Sequence, residues 1–470
     1  MSTFSRRDWL KAGAAALGGA AVGSRRAHAL PATLDEARLR DAYAASTRPR
    51  AGAPSGPSAD LAAPGRPLPM PYEGDRPARV HTPNGASITG RRAADGAWVY
   101  HLTAEEVEHE FAPGLTATCW GYNGRVHGPT FEAVEGDRVR VYVTNALPVA
   151  TTVHWHGFFL PSGMDGVGGL SQEPIPPGET FRYEFPIRQN GTFMYHSHHD
   201  EMTQIALGLT GLFVVHAAPG DRSVPEVDRD VAFMLHEWLV EPGTSRPDPN
   251  AMADFNILTM NGRAFPGTDP VVVGHMDRVR FRFGNLSPMD HHPIHLHGHY
   301  FDIVATDGGR IPEAGQWPET TVLVPVGSTR TVEWTADALG DWAMHCHMTH
   351  HVMNQMGHEF PNMVGVDARA LDRAVRPLAP GYMTMGQVGG DDMGAHVEMG
   401  HMKVPENSIP MVGAAGPFGY ITMGGMYTNV LVRPKPVAYD RHPGWYDHPA
   451  GTVASRVSAE EAARDGVRLA

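Results

Sequence analysis

The sequence predicts an all-β protein made of two tandem β-sandwiches of the same Greek-key kind, at residues 85–220 and 225–370. Three observations support this fold class. Short alternating apolar runs broken by Gly and Pro begin near residue 97. Gly and Pro are abundant, with 53 and 40 of 470 residues. An internal repeat is the third observation.

The repeat consists of short motifs that recur in the same order at a nearly constant offset. Asn123-Gly-Arg recurs as Asn261-Gly-Arg, and Asp137-Arg-Val-Arg-Val recurs as Asp277-Arg-Val-Arg-Phe. The other matches are Asn145 with Asn285, His154-Trp-His with His295-Leu-His, and His196-Ser-His with His345-Cys-His. Ordered recurrences of this kind rarely arise by chance, so the chain contains two copies of one domain. The span between the first and last histidine pairs leaves no room for a third.

The segments outside the two sandwiches have distinct compositions. Residues 1–29 have the features of a twin-arginine export signal, with Arg6-Arg7, a short apolar run and an Ala-His-Ala cleavage site. That run is too short to span a membrane, so we expect a periplasmic protein with no membrane span. Residues 30–84 read as a Pro/Ala/Gly-rich arm or linker. Residues 371–470 read as a Met- and Gly-rich C-terminal extension.

Charge and composition restrict the partners and suggest a metal. The net charge is −13, and removal of the basic export signal would make it more negative, which argues against nucleic acid as a partner. The chain has 27 His and 23 Met but only two Cys. Imidazole and thioether groups are ligands that suit copper. With Cys346 assigned to a metal, Cys119 has no partner, and no disulfide is expected.

Cys346 stands between two histidines in a predicted strand. Alternate side chains of a strand point to opposite faces, so Cys346 would face away from His345 and His347. A thiolate, two imidazoles and a distant methionine are the ligands of a blue electron-transfer copper. The strand would then carry an electron from such a site to a second metal group held on its other face.

Three further residues complete the predicted blue site. His292 lies an odd number of positions before His295, which places it on the Cys346 face if the strand alternation continues. His351 and Met356 follow Cys346 closely, and we assign Met356 as the axial ligand.

Four His-x-His pairs would supply the ligands of the second metal group. Residues i and i+2 of a strand share a face, so each pair can bind one or two metal ions. Together the eight imidazoles could serve three coppers. They are His154, His156, His196, His198, His295, His297, His345 and His347.

These motifs resemble the copper signatures of the multicopper oxidases. The matching stretches are His154-Trp-His-Gly, His196-Ser-His, His292-Pro-Ile-His-Leu-His-Gly and His345-Cys-His-x-x-x-His, within about residues 115–360. The resemblance implies cupredoxin-like domains and four coppers per functional unit, one type 1, one type 2 and two type 3. It also implies that oxidation of a small reductant, Cu(I) or a phenol, is coupled to reduction of dioxygen to water.

The resemblance also assigns roles to individual residues. His154 and His295 would hold the type 2 copper. The other six imidazoles would hold the type 3 pair. One copper would take His156, His198 and His345 and the other His196, His297 and His347, but this division between the two coppers is left open. Asp165 matches a family carboxylate near the type 2 copper and would relay protons; a surface Asp-Gly turn is the alternative interpretation.

The arrangement is most similar to the two-domain, small laccase-like branch, with its blue copper in the second domain. That branch forms homotrimers whose trinuclear clusters lie between subunits. In the first domain Ser197 stands in place of the cysteine, with Met202, Leu207 and approximately Thr151 at the other ligand positions. A copper nitrite reductase, also built from two such domains, is a less favoured alternative because it needs a blue copper site in the first domain.

The Met-rich residues 383–426 leave a second alternative open, because thioethers select Cu(I). The segment could deliver Cu(I) to the oxidase, serve a periplasmic copper-binding or copper-tolerance protein with incidental oxidase activity, or form a packing arm.

Overall fold

The computed structural model describes residues 63–354 apart from 242 and 254, together with residue 377, residues 407–409 and residues 413–469. The predicted export signal, Met356 and the methionines from 383 to 411 lie outside these residues.

The first sandwich contains eleven strands in two sheets. The strands are β1 (Tyr72–Glu73), β2 (Ser87–Ile88), β3 (Arg91–Arg92), β4 (Trp98–Ala112), β5 (Leu115–Tyr122), β6 (Thr130–Val134), β7 (Arg138–Asn145), β8 (His154–His156), β9 (Thr180–Pro186), β10 (Gly191–His196) and β11 (Thr210–His216). One sheet has the order β1-β2-β6-β11-β10-β8; the other has the order β3-β4-β7-β9, with β5 paired to β4. Helix α1 (Glu201–Ala206) lies between β10 and β11. A 3-10 helix, Ser162–Met164, follows β8.

The second sandwich repeats this arrangement. Its strands are β12 (Arg229–Trp238), β13 (Ile257–Met260), β14 (Val271–Gly274), β15 (Arg278–Asn285), β16 (His292–Leu296), β17 (Phe301–Thr306), β18 (Gly309–Arg310), β19 (Trp317–Glu319), β20 (Thr321–Val324), β21 (Ser328–Thr335), β22 (Gly340–Cys346), β23 (Ala414–Gly416), β24 (Gly419–Ile421) and β25 (Tyr427–Arg433). One sheet has the order β13-β12-β15-β21-β17-β18 with β19 on β17; the other is β14-β25-β22-β16-β20, and β23-β24 form a hairpin. Two 3-10 helices, Glu313–Gly315 and Thr349–Val352, and helix α2 (Ala459–Arg464) complete the described elements.

The predicted all-β fold with two related sandwiches is confirmed by the strand pairings. In the first sandwich β4 pairs parallel with β7 and antiparallel with β5. In the second, β12 pairs parallel with β15 and antiparallel with β13. The other sheets match as well, because β6-β11-β10-β8 and β14-β25-β22-β16 have the same sequence of parallel and antiparallel neighbours.

The repeated polar residues have the same structural role in both copies. Asn145 donates from Nδ2 to the carbonyls of Val149 and Ile175. Asn285 donates from Nδ2 to the carbonyls of Asp290 and Val324, so it fixes the loop that leads into His292. Both asparagines are fully buried, where an unpaired amide would cost about 1–3 kcal/mol.

The repeated Asn-Gly pairs form tight turns. Asn123 and Gly124 have φ of 53° and 69°, and Asn261 and Gly262 have φ of 52° and 77°. Asn and Gly tolerate positive φ better than other residues, which explains their recurrence at this position.

The predicted end of the second domain at residue 370 is too early. Strand β25 lies between β14 and β22 in the middle of a sheet. It corresponds to β11, which follows β10 after residues 197–209 only. In the second domain, residues 347–426 separate β22 from β25. The Met-rich stretch is therefore an insertion within the second domain, and the sandwich closes only at Arg433.

Each sandwich has its own apolar core. Trp155, Phe131 and Phe213 are fully buried in the first, and Phe281 and Phe283 are at most 1% exposed in the second. Full burial of one such Phe contributes roughly 1.5–3 kcal/mol, so these cores give a rigid base for the loops and strands that present the histidines. No helix among the described residues combines the length and apolar character needed to cross a bilayer.

Candidate metal centre

Cys346 lies beside two histidines in the core of the second sandwich. His292 begins β16, Cys346 ends β22, and His351 lies in the 3-10 helix Thr349–Val352. The Cys346 Sγ is 3.8 Å from His292 Nδ1 and 3.5 Å from His351 Nδ1, and the two nitrogens are 3.2 Å apart. His292 and Cys346 are 0% exposed and His351 is 7% exposed. One sulfur and two ring nitrogens thus converge on one point, as a blue copper requires.

The outer nitrogens of both imidazoles have partners that orient the rings. His292 Nε2 is 2.6 Å from Ser287 Oγ, and His351 Nε2 is 3.4 Å from a carboxylate oxygen of Asp290. With Nε2 engaged, each ring directs Nδ1 toward Cys346. Partners of this kind fix the orientation of metal-binding histidines.

Burial controls the protonation of this cluster. Desolvation lowers the pKa of His292 and of His351, so both imidazoles are neutral, the form that binds metal. Desolvation also raises the pKa of Cys346 to about 12. Metal binding to the thiolate therefore has to release the Cys346 proton.

Four histidines of the second sandwich form a group on the face of the sheet opposite Cys346. This second quartet consists of His295, His297, His345 and His347. His297 Nε2 and His345 Nε2 are 3.1 Å apart, while the ring centroid of His295 is 5.5 Å from that of His347. His345 donates from Nδ1 to the carbonyl of Cys346, 2.9 Å away, which leaves its Nε2 free to bind a metal. Burial lowers the pKa of His345 to about 4, so its ring is neutral.

The first sandwich has a similar group of four histidines. This first quartet consists of His154, His156, His196 and His198. His156 Nδ1 and His196 Nε2 are 3.2 Å apart, and the His154 ring lies within 5.6 Å of the rings of His156, His196 and His198. His196 donates from Nδ1 to the carbonyl of Ser197. Burial lowers the pKa of His196 to about 3. His198 Nε2 lies 3.2 Å from Glu201 Oε1.

The two quartets form separate groups. No hydrogen bond or ring contact recorded between described residues joins a histidine of the first quartet to one of the second. His347 is exposed, and His154, His156, His198, His295 and His297 are partly exposed. Each quartet therefore has imidazoles that solvent can reach.

Asp165 lies next to the first quartet. His154 Nδ1 donates to the Asp165 carbonyl oxygen at 2.7 Å, and the Asp165 carboxylate is 3.4 Å from the same nitrogen. The carboxylate is 37% exposed, so it connects the ring of His154 with solvent.

In the first sandwich, hydrogen bonds occupy the place of the cysteine cluster. Ser197 Oγ and Thr151 Oγ1 are 3.4 Å apart, and both donate to Gln204 Oε1, at 2.5 and 2.7 Å. All three residues are fully buried, whereas Met202 is 64% exposed. This satisfied neutral network provides neither a thiolate nor an imidazole.

Two family models described as multicopper oxidase match residues 103–220 and 241–365, which together contain every histidine and cysteine of these clusters. A solved structure titled multicopper oxidase mgLAC is 31% identical, covers 55% of this chain and 81% of its own, and has a TM-score of 0.51. The chain belongs to the multicopper oxidase family. Copper is therefore the metal that its clusters bind.

Curated relatives include copper resistance protein A of Pseudomonas syringae pv. tomato, 39% identical over 132 residues, covering 28% of this chain and 21% of the relative. Putative laccase-19 of Oryza sativa subsp. indica is 29% identical over 239 residues, covering 47% of this chain and 40% of the relative. The chain thus matches less than half the length of either relative.

Sequence reasoning missed several groups around the copper ligands. The Thr320 carbonyl accepts from His295 Nδ1 at 2.7 Å, and Ser287 and Asp290 contact the two buried histidines. Asp290 stands two residues before His292, so its position in that motif could have identified it. Thr320 acts through its backbone, which carries no sequence information.

Proposed function

We propose that this protein is an oxidase that couples one-electron oxidation of a small reductant to the four-electron reduction of dioxygen to water. The observation that carries the proposal is the placement of Cys346 and His345 on opposite faces of one strand, each within a separate ligand cluster. Copper bound at these clusters supplies the one-electron and dioxygen chemistry. The chain connects them through the backbone at Cys346 and the His345 hydrogen bond to its carbonyl.

We assign the ligands as the sequence predicts. His292, Cys346 and His351 would hold the type 1 copper, and Met356 would add a thioether ligand. His154 and His295 hold the type 2 copper. The type 3 pair takes the remaining imidazoles, which are His156, His196, His198, His297, His345 and His347. The donor atoms of His156 and His196 are 3.2 Å apart, and those of His297 and His345 are 3.1 Å apart. These distances favour placing both members of each pair on the same type 3 copper, which differs from the division given by the resemblance.

The reductant gives its electron at the edge of His351. His292 is 0% exposed and its outer nitrogen faces Ser287, so it is closed to a reductant. His351 faces Asp290, whose carboxylate is 40% exposed. A carboxylate at this edge favours a cationic reductant or one that donates a hydrogen bond, which includes Cu(I) and phenols.

The functional unit is a homotrimer in this proposal, with each trinuclear cluster completed between subunits. Two separate quartets with accessible imidazoles support it, since four ligands are too few for three coppers. The first domain of one subunit would then cover the second domain of its neighbour. The repeated contact is head-to-tail and closes by rotation.

Asp165 passes protons to the cluster in this account. We expect Asp165→Asn to slow oxygen reduction while the blue copper is still reduced at its normal rate. The backbone carbonyl that orients His154 is retained in this variant, so only the ionisable group changes. Stopped-flow reduction without oxygen, followed by oxygen addition, separates the two steps. Asp221→Asn, an exposed carboxylate whose hydrogen bonds go to Ser223, is the control. Unchanged turnover of Asp165→Asn would remove the proposed role.

The Met-rich insertion collects Cu(I) for the type 1 site. Its position supports this, because it starts directly after the His351 loop and returns at β25 beside β22. Two of its eight methionines have a structural role instead. Met426 is fully buried in the second core, and Met423 packs against the cluster of Phe265, Ala414 and Tyr427.

Deletion of residues 383–402 should raise the Michaelis constant for Cu(I) much more than that for a phenol. The deletion leaves Met426 and β25 in place, so the core of the second sandwich is preserved. Steady-state oxygen uptake with each reductant measures the effect. Deletion of residues 451–457, an exposed segment before α2, serves as the control. Equal effects on both reductants would favour a packing role for the insertion.

Export by the twin-arginine route to the periplasm also belongs to the proposal, on the strength of Arg6-Arg7 and the apolar run that follows. Relatives named copper resistance protein A support a role in copper tolerance. A copper-binding protein with incidental oxidase activity is the second candidate, and the Met-rich composition of the insertion favours it. The hydrogen-bonded Ser197–Gln204 network argues against a nitrite reductase, which needs a blue site in the first domain.

Oxygen uptake by the copper-loaded protein with Cu(I), Mn(II) and a phenol, measured side by side, tests the oxidase proposal. We expect rapid catalytic uptake with at least one of them. Binding of several Cu(I) ions per chain with no catalytic uptake would favour the copper-binding candidate.

A further inference from the structure

A cavity lies between residues 70–87, which run from the arm into the first sandwich, and the start of the second sandwich. Its volume is about 220 Å³. The walls come from residues 70–87 and from the first residue of β12, Arg229. A water molecule takes up about 30 Å³ in the liquid, so the cavity has room for a small organic molecule.

Arg229 brings a buried positive charge to this cavity. Its residue is 8% exposed, and neither Nε nor Nη2 makes a hydrogen bond with any residue of the described chain. One face of the guanidinium stacks on Tyr439 at 4.5 Å. Burial lowers the pKa of Arg229. The five N–H donors of a guanidinium normally bind a carboxylate or phosphate, so two buried nitrogens without a hydrogen bond are unusual.

The carboxylates near Arg229 are engaged with other cations. Asp230, the next residue, accepts from Arg280 and Arg282. Asp277 forms an ion pair with Lys435 and accepts a hydrogen bond from Tyr439. No acidic residue lines the cavity. Asp277 and Asp230 are thus near enough to interact with the Arg229 charge, but neither accepts a hydrogen bond from its Nε or Nη2 within the described structure.

His81 supplies a second unused polar group. It is 5% exposed, and its Nδ1 has no hydrogen-bond partner among described residues. Its backbone is fixed against β12, because its N–H donates to the Asp230 carbonyl and its carbonyl accepts from Ala232. The ring is thus held in place beside Arg229, and Nδ1 can accept or donate a hydrogen bond to a ligand.

The remaining walls include the apolar residues Met70, Pro71, Val80 and Ala86 and a second, exposed arginine, Arg79. The side-chain hydroxyls of Thr82 and Ser87 already bond to Thr130 and to the Val80 carbonyl. The combination is a pair of cationic side chains, Arg229 and Arg79, together with a group of apolar side chains. Such a lining suits an amphipathic anion better than a fully hydrated inorganic one.

We propose that this cavity binds a small organic acid, with its carboxylate on Arg229 and His81 and its apolar body against Met70, Pro71, Val80 and Ala86. The bound carboxylate accepts the hydrogen bonds that Arg229 Nε and Nη2 do not make within the described chain. Because the walls come from both the arm and β12, the ligand also ties the arm to the second sandwich.

Calorimetric titration of the copper-loaded full chain with benzoate tests the proposal. Benzamide, chloride and inorganic phosphate are titrated in parallel, and thermal unfolding is followed with each. We expect saturable benzoate binding and a rise in melting temperature of about 2 °C or more at saturation, since a ligand that binds only the folded state stabilises it. Benzamide, chloride and phosphate should have no comparable effect.

Three variants distinguish benzoate bound at Arg229 from benzoate bound elsewhere on the protein, including at copper. Arg229→Met should lose benzoate binding, and Arg229→Lys should weaken it about tenfold because the bidentate fork is lost. Arg91→Gln, at an exposed position in β3, should bind benzoate as the wild type does. In benzoate-free buffer Arg229→Met should melt at a higher temperature than the wild type, because it removes a buried guanidinium with two nitrogens that have no hydrogen-bond partner among the described residues.

Three outcomes would overturn the proposal. Absence of saturable benzoate binding to the wild type, or equal binding to Arg229→Lys and wild type, would exclude a carboxylate site at Arg229. Equal binding of phosphate or chloride would show a simple anion site and not one for organic acids.

Discussion

Replacing Cys346 with Ser should abolish the blue absorption and reduce oxidation of every one-electron reductant to the rate of the copper-free protein. Sγ is the only sulfur among the three described ligand atoms of the buried cluster, and a hydroxyl cannot replace a thiolate as a copper ligand. The protein should stay folded, because the first sandwich has a serine at the equivalent position, Ser197, with intact strands on both sides.

Visible absorption, circular dichroism and oxygen uptake measure these effects in one preparation. Cys119→Ser is the matched control, since Cys119 is equally buried but lies in β5 within an apolar cluster. We expect this control to keep its colour and activity. A Cys346→Ser protein that stayed blue would place the thiolate ligand elsewhere.

Mixing two inactive variants should restore activity if the trinuclear clusters form between subunits. In the first variant His154 and His156 are replaced by Ala, so the first quartet is disabled. In the second variant His295 and His297 are replaced by Ala, so the second quartet is disabled. Each variant alone lacks a complete cluster at every interface. Both retain Cys346, His292 and His351 and should stay blue.

Random mixed trimers made from equal amounts contain some interfaces with two intact quartets. At each interface, the subunit that provides the first quartet has it intact with a probability of one half, and the neighbour has an intact second quartet with the same probability. About a quarter of wild-type activity should therefore return in head-to-tail rings. Oxygen uptake after co-refolding, with unmixed variants refolded alone as controls, gives the fraction. Zero recovery, with mixed trimers shown by mass spectrometry, would place both quartets of each cluster in one chain.

The repeat in the sequence predicted most of the fold because its motifs have structural roles. Asn145 and Asn285 each bond to two loop carbonyls, and Asp137 and Asp277 each accept a backbone N–H three residues earlier in the chain. These roles require one residue type at one place in the fold. Motifs of this kind therefore recur in both domains and can be aligned.

The closing strand of the second domain could not be placed in the same way. Tyr427–Arg433 contains no recurring polar motif, and residues 347–426 separate it from β22. An alternating apolar run fits many sheet positions, so its partners depend on tertiary packing. This is why the Met-rich stretch was predicted as a tail and is an insertion.

The cysteine cluster shows what strand periodicity can and cannot predict. Alternation placed Cys346 and His345 on opposite faces, as the structure shows. Met356 lies outside the described residues, so its axial role stays a prediction. The hydrogen bonds from His154 and His295 to the carbonyls of Asp165 and Thr320 were beyond prediction, because every residue has a carbonyl.

The ratio of reductant oxidised to oxygen consumed tests the central claim most directly. The copper-loaded protein is supplied with a phenol, oxygen is followed with an electrode, and hydrogen peroxide is assayed in the same vessel. An oxidase in which the Cys346 cluster feeds a complete trinuclear cluster should consume one dioxygen for every four electrons and release no peroxide. Two electrons per dioxygen with stoichiometric peroxide, or no catalytic uptake with any reductant, would contradict it.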